Sequence, residues 1–593
     1  MKKIIQLFLI SLIVLTSCQK DVLDKQPLDI ITDKAVWSDQ ILIDAYLTQT
    51  YIDCHFMNNE EGVQDWFAQS EYWFGSLYIN EVSDECKAQW IFDAYNFKLG
   101  NLRIEGGLLE WWEPSYAIIR KLNEFIERVP SAPVDDNFKR NRLAEARFLR
   151  AFNYFTLVKR YGGVPLITKA QGLDDPKDEL VPARNKEQEI YDFIISEMDS
   201  IVDDLAVKQD PENIGRPSKY AVLSLKSRVA LYAGSIAKYG TVQLNGVVGI
   251  DEGQSLSYFQ KAYDATDQII KSNQFSLYNK YPDKIQNFRN LFLDESDNKE
   301  AIFVIPHDGN PRESGGHGTT YDYFQAPYPN AWGLGNQDGP YLEMAEEFEH
   351  KDGTSGKLDR TQIEQGLWTT DQLWVNKDPR FFASIYTQNT GWKGKPLDFH
   401  RGIILPDGTI QTDASYNGLL ANGTQRIDGT GFGVLKYLDE SNDLSQFSGT
   451  SKTDYIVFRY GETLLNFAET AFELNKPNEA LDKINMIRNR AGIAELTSIN
   501  MNKIRHERKV ELAFEGHRYW DVRRWRTAVK DLSINGSGLR FIQDYATGKY
   551  KLMIVENIDG TVSPPAFYPQ NYYLPITIKR TGSNSNLVEN PGY

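Results

Sequence analysis

The stretch Arg142 to Pro165, RLAEARFLRAFNYFTLVKRYGGVP, constrains the fold of this chain more than any other. Ala144, Phe148, Ala151, Phe155 and Val158 recur at spacings of three and four, which puts them on one stripe of an α-helix, while Glu145, Arg150, Asn153 and Lys159 fall away from it. Gly162, Gly163 and Pro165 end the helix, because glycine permits the left-handed turn and proline lacks the next donor. Small alanines let a second backbone approach closely, and aromatics fill the space between. The stripe therefore requires a helical partner, and it predicts a stacked series.

The same period supplies the partners. Trp111 to Val129 is predicted to form the first antiparallel pair with this helix; Gln188 to Leu205 pairs with Ser218 to Ala237; Ser257 to Ser272 stands alone. Asp454 to Leu474 is expected to pair with Pro477 to Arg490, followed by a helix from Asn502 to about Arg526 and by short strand and coil from Asn571 to Tyr593. Between Asn273 and Asp454 glycines concentrate, and the reading is loop-dominated with a few strands such as Ala301 to Ile305. Such a long irregular segment inside a compact chain usually carries function. The expectation is a mainly α fold: tetratricopeptide-like helical pairs form a scaffold over about 36–272 and 454–530, and a loop-rich insertion fills 273–453.

The N-terminus reads as an export signal over residues 1–17. Lys2 and Lys3 precede an apolar run from Ile4 to Leu15 that is shorter than the ~20 residues needed to span a bilayer. Leu15-Thr16-Ser17-Cys18 resembles the lipobox of bacterial lipoproteins, which would make Cys18 the lipidated N-terminus and residues 18–35 a tether. The other reading is an ordinary signal peptide with an incidental cysteine. No aspartate follows Cys18, so within that resemblance the outer membrane is the expected destination. A net charge of −16 argues against a nucleic-acid partner, which needs a basic surface. Cys54 and Cys86 are read equally as a disulfide or as two free thiols.

Several motifs then occur in one order along the chain: Glu145 to Phe155 with Tyr161-Gly-Gly-Val-Pro165; Asp378-Pro379-Arg380-Phe381; Arg459-Tyr460 through Ala468-Glu469; Asn485 through Arg488 and Arg490-Ala491-Gly492; Glu507-Arg508 through Glu511; Glu515-Gly516, Arg518, Asp521 and Arg524-Trp525; and terminal Asn590-Pro591-Gly592-Tyr593. Together they resemble the SusD/RagB family of outer-membrane glycan-capture lipoproteins. The resemblance implies one SusD-like domain over 36–593, displayed at the cell surface as a lid on a SusC-like TonB-dependent transporter. It implies capture of oligosaccharide or polysaccharide without cleavage, and delivery of it for import. The alternative is a lipid-anchored glycoside hydrolase.

The residues themselves divide the chemistry. Arg147, Arg150, Glu469, Arg488, Glu507, Arg508, Glu511, Glu515, Arg518 and Asp521 interleave both signs on helices and are read as paired structural networks rather than a catalytic set. The histidines form no HExxH motif, no GxSxG elbow or GK[ST] loop occurs, and no spaced aspartate loop for calcium is present. No catalytic residue, metal or cofactor is assigned. Sugar rings pack their C–H faces on exposed aromatics, and the chain has 12 Trp, 32 Tyr and 30 Phe to offer. The candidate glycan-binding residues are Trp66, Trp73 and Trp90 in an early ring-dense segment, and Tyr323 and Trp332 in the glycine-rich insertion.

Overall fold

The computed structural model describes residues 33–54, 57, 77–88, 97–100, 107–310, 316–327, 335–412, 429–444, 449–559 and 565–593. The helices that build the frame are α1 (Gln40–Asp53), α2 (Trp112–Arg128), α3 (Asp136–Tyr161), α4 (Glu187–Ile201), α5 (Lys219–Tyr239), α6 (Ser255–Lys271), α7 (Tyr460–Glu473), α8 (Pro477–Ala491), α9 (Met501–Glu511) and α10 (Arg518–Arg524). From α2 to α8 each helix packs on the next, in one continuous series.

The stripe on α3 is buried as its spacing requires, but the helix starts earlier than Arg142. Asp135 caps it by accepting from the Asn137 and Phe138 N–H groups, which meets two otherwise orphaned donors. Gly162 closes it at φ 75°. A Cβ on the next residue, Gly163, would overlap the carbonyl oxygen of Asn185 and stand 2.9 Å from that of Val247, so glycine there allows two loops to close on the helix end. Burial extends beyond the apolar stripe: Arg150 donates to Asn123 Oδ1 (2.7 Å) on α2 and to Glu197 (2.9 Å) on α4.

The helix that looked solitary in sequence, α6, has α5 on one side and α7 on the other. Tyr263 of α6 meets Phe467 of α7 at 4.7 Å between ring centroids, and its hydroxyl donates to Glu479 Oε2 at 2.6 Å. The insertion is thus looped out between two adjacent helices of the stack.

Three predicted elements are corrected. The helix expected from Asp454 begins only at Tyr460, since Tyr455–Arg459 is a strand paired antiparallel with Ala301–Ile305. The helix expected from Asn502 to about Arg526 breaks into α9 and α10. Phe514 takes φ 62° and Gly516 φ 75°, which turns the Glu515 carboxylate inward. The C-terminal segment carries a short helix, Ile578–Ser583, in place of a strand.

The insertion completes a sheet with residues far downstream. Five short strands run in the order Leu367–Trp368, Lys549–Val555, Gly538–Asp544, Ile403–Ile404, Ile410–Gln411. The hairpin of Gly538–Asp544 and Lys549–Val555 is antiparallel and in full register. Its inward Leu539, Phe541 and Leu552 share a core with Phe348, Phe381, Phe432 and Phe514.

Candidate functional site

The two segments singled out for aromatic content are physically joined. Cys86–Ala88 pairs antiparallel with Asp338–Pro340, in the register Cys86 to Pro340, Lys87 to Gly339 and Ala88 to Asp338. Trp90 follows this pair by two residues in sequence and Trp332 precedes it by six. Trp66, Trp73, Trp90, Trp332 and Cys18 lie outside the described residues.

The local sequence Ser83-Asp-Glu-Cys86 has little β preference of its own, so the strand is held by tertiary contacts. Asp84 receives Arg518 Nε at 2.7 Å and Lys509 Nζ at 2.9 Å. Burial alone would raise the Asp84 carboxyl, but Arg518 and Lys509 outweigh it and hold it far below the usual range. Glu85 accepts from the Phe514 N–H at 3.0 Å, and its carbonyl from the Tyr341 N–H at 3.0 Å. The strand is thereby fastened to the α9–α10 break on one side and to the insertion on the other.

Lys98 secures the far edge. Its buried ammonium donates to the carbonyls of Glu81 (3.1 Å) and Cys86 (3.0 Å) and pairs with the Tyr341 hydroxyl, which also bonds the Asp559 carboxylate at 2.8 Å. On the inner side Asn80 Nδ2 donates to Asp338 Oδ2 at 3.0 Å, and the Tyr386 hydroxyl bonds Gln325 O (2.8 Å) and Asn336 Oδ1 (3.0 Å). Burial pushes the Glu85 carboxyl up to about 7, and Asp338 well above the carboxylate range, with Glu85 adding repulsion. Both side chains are sealed inside the protein, at 1% and 0% exposure, so neither is presented to a substrate.

Tyr323 is corrected. It lies in a short helix, Tyr321–Gln325, at 1% exposure, edge to face with Phe324 at 5.6 Å. Its ring face is covered by protein, where stacking on a sugar needs it open. Cys54 and Cys86 are unpaired, and burial raises both thiols well above their ordinary value. Among the described residues no cluster of three or more His, Cys, Asp or Glu is placed to hold a metal ion, and no helix is long and apolar enough to cross a membrane.

The frame's own residues, Asp84, Lys98, Tyr341 and Asp559, escaped the sequence reading. Arg518 is 434 residues from Asp84, and Tyr341 is 243 from Lys98. No spacing rule reaches that far.

A family model described as the SusD family matches residues 299–593, and a second, described as starch-binding associating with outer membrane, matches residues 23–231. The chain belongs to the SusD-like family. A SusD-like protein of Formosa agariphila is 27% identical over 560 residues, covering 89% of this chain and 92% of that one. A SusD-like protein of Bacteroides fragilis superposes with a TM-score of 0.71 at 25% identity, covering 96% of this chain and all of that one. A second solved structure from the same species, described as a SusD-like carbohydrate binding protein, gives a TM-score of 0.69 at 22% identity, covering 93% of this chain and 100% of that one.

Within this SusD-like chain the motif charges are structural. Five buried cations, Arg380, Lys436, Arg459, Arg488 and Arg490, face five buried carboxylates, Glu300, Asp378, Glu507, Glu511 and Glu515. A second group joins α7, α9 and α10: Arg508 Nε to Asp521 at 2.7 Å, Arg524 Nη2 to Glu469 at 2.7 Å, and the Trp525 indole to Glu469 at 2.8 Å. Gly461 makes room for the first, since a Cβ there would meet the Arg459 guanidinium and stand 2.8 Å from Glu300 Oε1.

Proposed function

We propose that this protein captures oligosaccharide or polysaccharide at the cell surface without cleaving it, on the loops that carry Trp66, Trp73, Trp90 and Trp332. The observation that carries this reading is the pairing of Cys86–Ala88 with Asp338–Pro340, which anchors the early ring-dense segment and the glycine-rich insertion to one buried frame. Aromatic rings on loops bind sugars well only when a rigid base fixes where those loops start. Family membership supports the ligand class: one matching model is described as starch-binding, and a similar structure as carbohydrate binding. The lipobox-like Leu15-Thr16-Ser17-Cys18 supports anchoring by lipid at the outer membrane, and the resemblance to SusD/RagB lipoproteins supports delivery to a SusC-like TonB-dependent transporter for import.

The test is binding by the soluble protein lacking residues 1–18 to a broad polysaccharide panel, by affinity electrophoresis and calorimetry. Retention by at least one polymer, with no new reducing ends after long incubation, is the expected result. No binding to any polymer removes the proposal, and new reducing ends replace it with a glycoside hydrolase.

A further inference from the structure

A cleft of about 470 Å³ opens where the end of α5 and the turn after α10 meet the C-terminal segments; Tyr239, Gln243, Arg526, Gln570, Tyr572 and Tyr573 form most of its chemistry. The described residues that line it all lie outside the two ring-dense segments.

Its central residue stands in an unusual place. The end of α10 is a full Schellman closure, in which the Arg526 N–H donates to Arg523 O (3.1 Å) and the Thr527 N–H to Val522 O (2.9 Å). That closure requires a left-handed residue, and here it is Arg526, at φ 57°. Glycine is usual there, because a Cβ crowds the following carbonyl oxygen in that conformation. The arginine in return has a fixed side chain. Nη1 donates to Arg523 O at 3.0 Å and Nη2 to the Tyr573 hydroxyl at 2.6 Å, with the guanidinium 4.6 Å from the Tyr572 ring centroid and 5.0 Å from that of Tyr573.

Among the described residues two of the five N–H donors of the guanidinium are so engaged. Among them, too, Arg526 makes no ion pair and no Asp or Glu lines the cleft. Nearby Glu187, which burial raises and the Arg526 charge partly lowers, is fully buried and accepts from the Tyr573 hydroxyl at 2.8 Å. A pre-oriented guanidinium in a cleft where, among the described residues, no carboxylate lines the wall suits an anion. The rest of the lining suits hydroxyl groups: the Gln243 and Gln570 amides offer donors and acceptors beside partly exposed Tyr239 and Tyr572.

We infer that this cleft is a separate binding site for an anionic saccharide unit, with the carboxylate or sulfate ester held by Arg526 and the sugar hydroxyls by Gln243 and Gln570. It requires no residue of the aromatic loops and is independent of the glycan capture proposed above.

The test is calorimetry on the purified protein with a tetragalacturonate, its methyl ester, a sulfated galactan oligosaccharide and inorganic sulfate, each against wild type, Arg526→Gln and Gln243→Ala. Support is binding of tetragalacturonate or sulfated galactan that falls tenfold or more in Arg526→Gln and several-fold in Gln243→Ala, and is lost on methyl esterification of the uronate. Thermal melts check that the variants fold; should Arg526→Gln not fold, Gln243→Ala, at an exposed position, decides alone. The inference is overturned if neither acidic oligosaccharide binds, if binding is indifferent to Gln243→Ala and Arg526→Gln, or if sulfate alone binds as tightly as the sulfated sugar.

Discussion

Arg459 Nη1 lies 2.8 Å from Glu511 Oε1, both side chains buried, and so ties the strand entering α7 to the last turn of α9. The same carboxylate also receives Arg490, and its other oxygen receives Arg380 Nη1 at 2.9 Å. Burial pushes Glu511 up, but Arg490, Arg459 and Arg380 together outweigh it and hold the carboxyl far below its ordinary value.

Glu511→Gln should therefore destabilise more than an ordinary core substitution. It leaves three guanidinium groups around a neutral amide, and breaking a buried pair on one side costs about 3–5 kcal/mol. Urea unfolding followed by circular dichroism measures it. A loss below about 1 kcal/mol would mean that the network contributes little, as in proteins where an apolar core substitutes freely for buried ions.

Stability should fall on both sides of a mid-acid optimum. Burial pushes Glu469 up, but Arg524 and Arg508 outweigh it and hold it at about 2, and Glu507, Glu511 and Glu515 are lowered likewise. Groups with depressed folded values contribute stability that is present above about 4.5 and lost as pH drops through the folded value. Glu85 and Asp338 run the other way: raised by burial, they contribute fully below about 4, and that contribution is lost as pH rises through about 7 for Glu85 and about 8 for Asp338. Denaturation midpoints from pH 3 to 9 trace both limbs, and Glu85→Gln should flatten the alkaline one.

Gly163→Ala should destabilise without touching any charge. The added Cβ would overlap the Asn185 carbonyl oxygen, a rigid backbone atom, so the loop closing on α3 must shift. Overpacking of this kind costs about 1–3 kcal/mol. A thermal melt of the variant with unchanged Tm would rule the close approach out.

Trp90→Ala and Trp332→Ala should each weaken glycan binding by more than about 1 kcal/mol while leaving the melt unchanged, if they carry the proposed ring stacking. Tyr323→Ala should do the reverse. At 1% exposure its ring is core, and removal of a large buried aromatic costs about 3–5 kcal/mol of stability. Paired calorimetry and melts on the three variants separate the two behaviours.

Local periodicity encodes one part of this architecture. The Ala and Phe stripe of Arg142 to Pro165 specifies a helix and a helical neighbour, because residues three and four apart share a face wherever the helix sits. The alternating signs from Glu507 to Asp521 specify that those charges meet partners, since unpaired buried charge is too costly to keep. Tertiary structure decided everything that depends on distant chain segments. It placed α6 against α7 across the insertion, turned Tyr455–Arg459 into a strand by supplying Ala301–Ile305, and buried Tyr323 while joining Cys86–Ala88 to Asp338–Pro340. Each of these is a long-range pairing whose free energy exists only after the chain has closed on itself, so no window of sequence carries it.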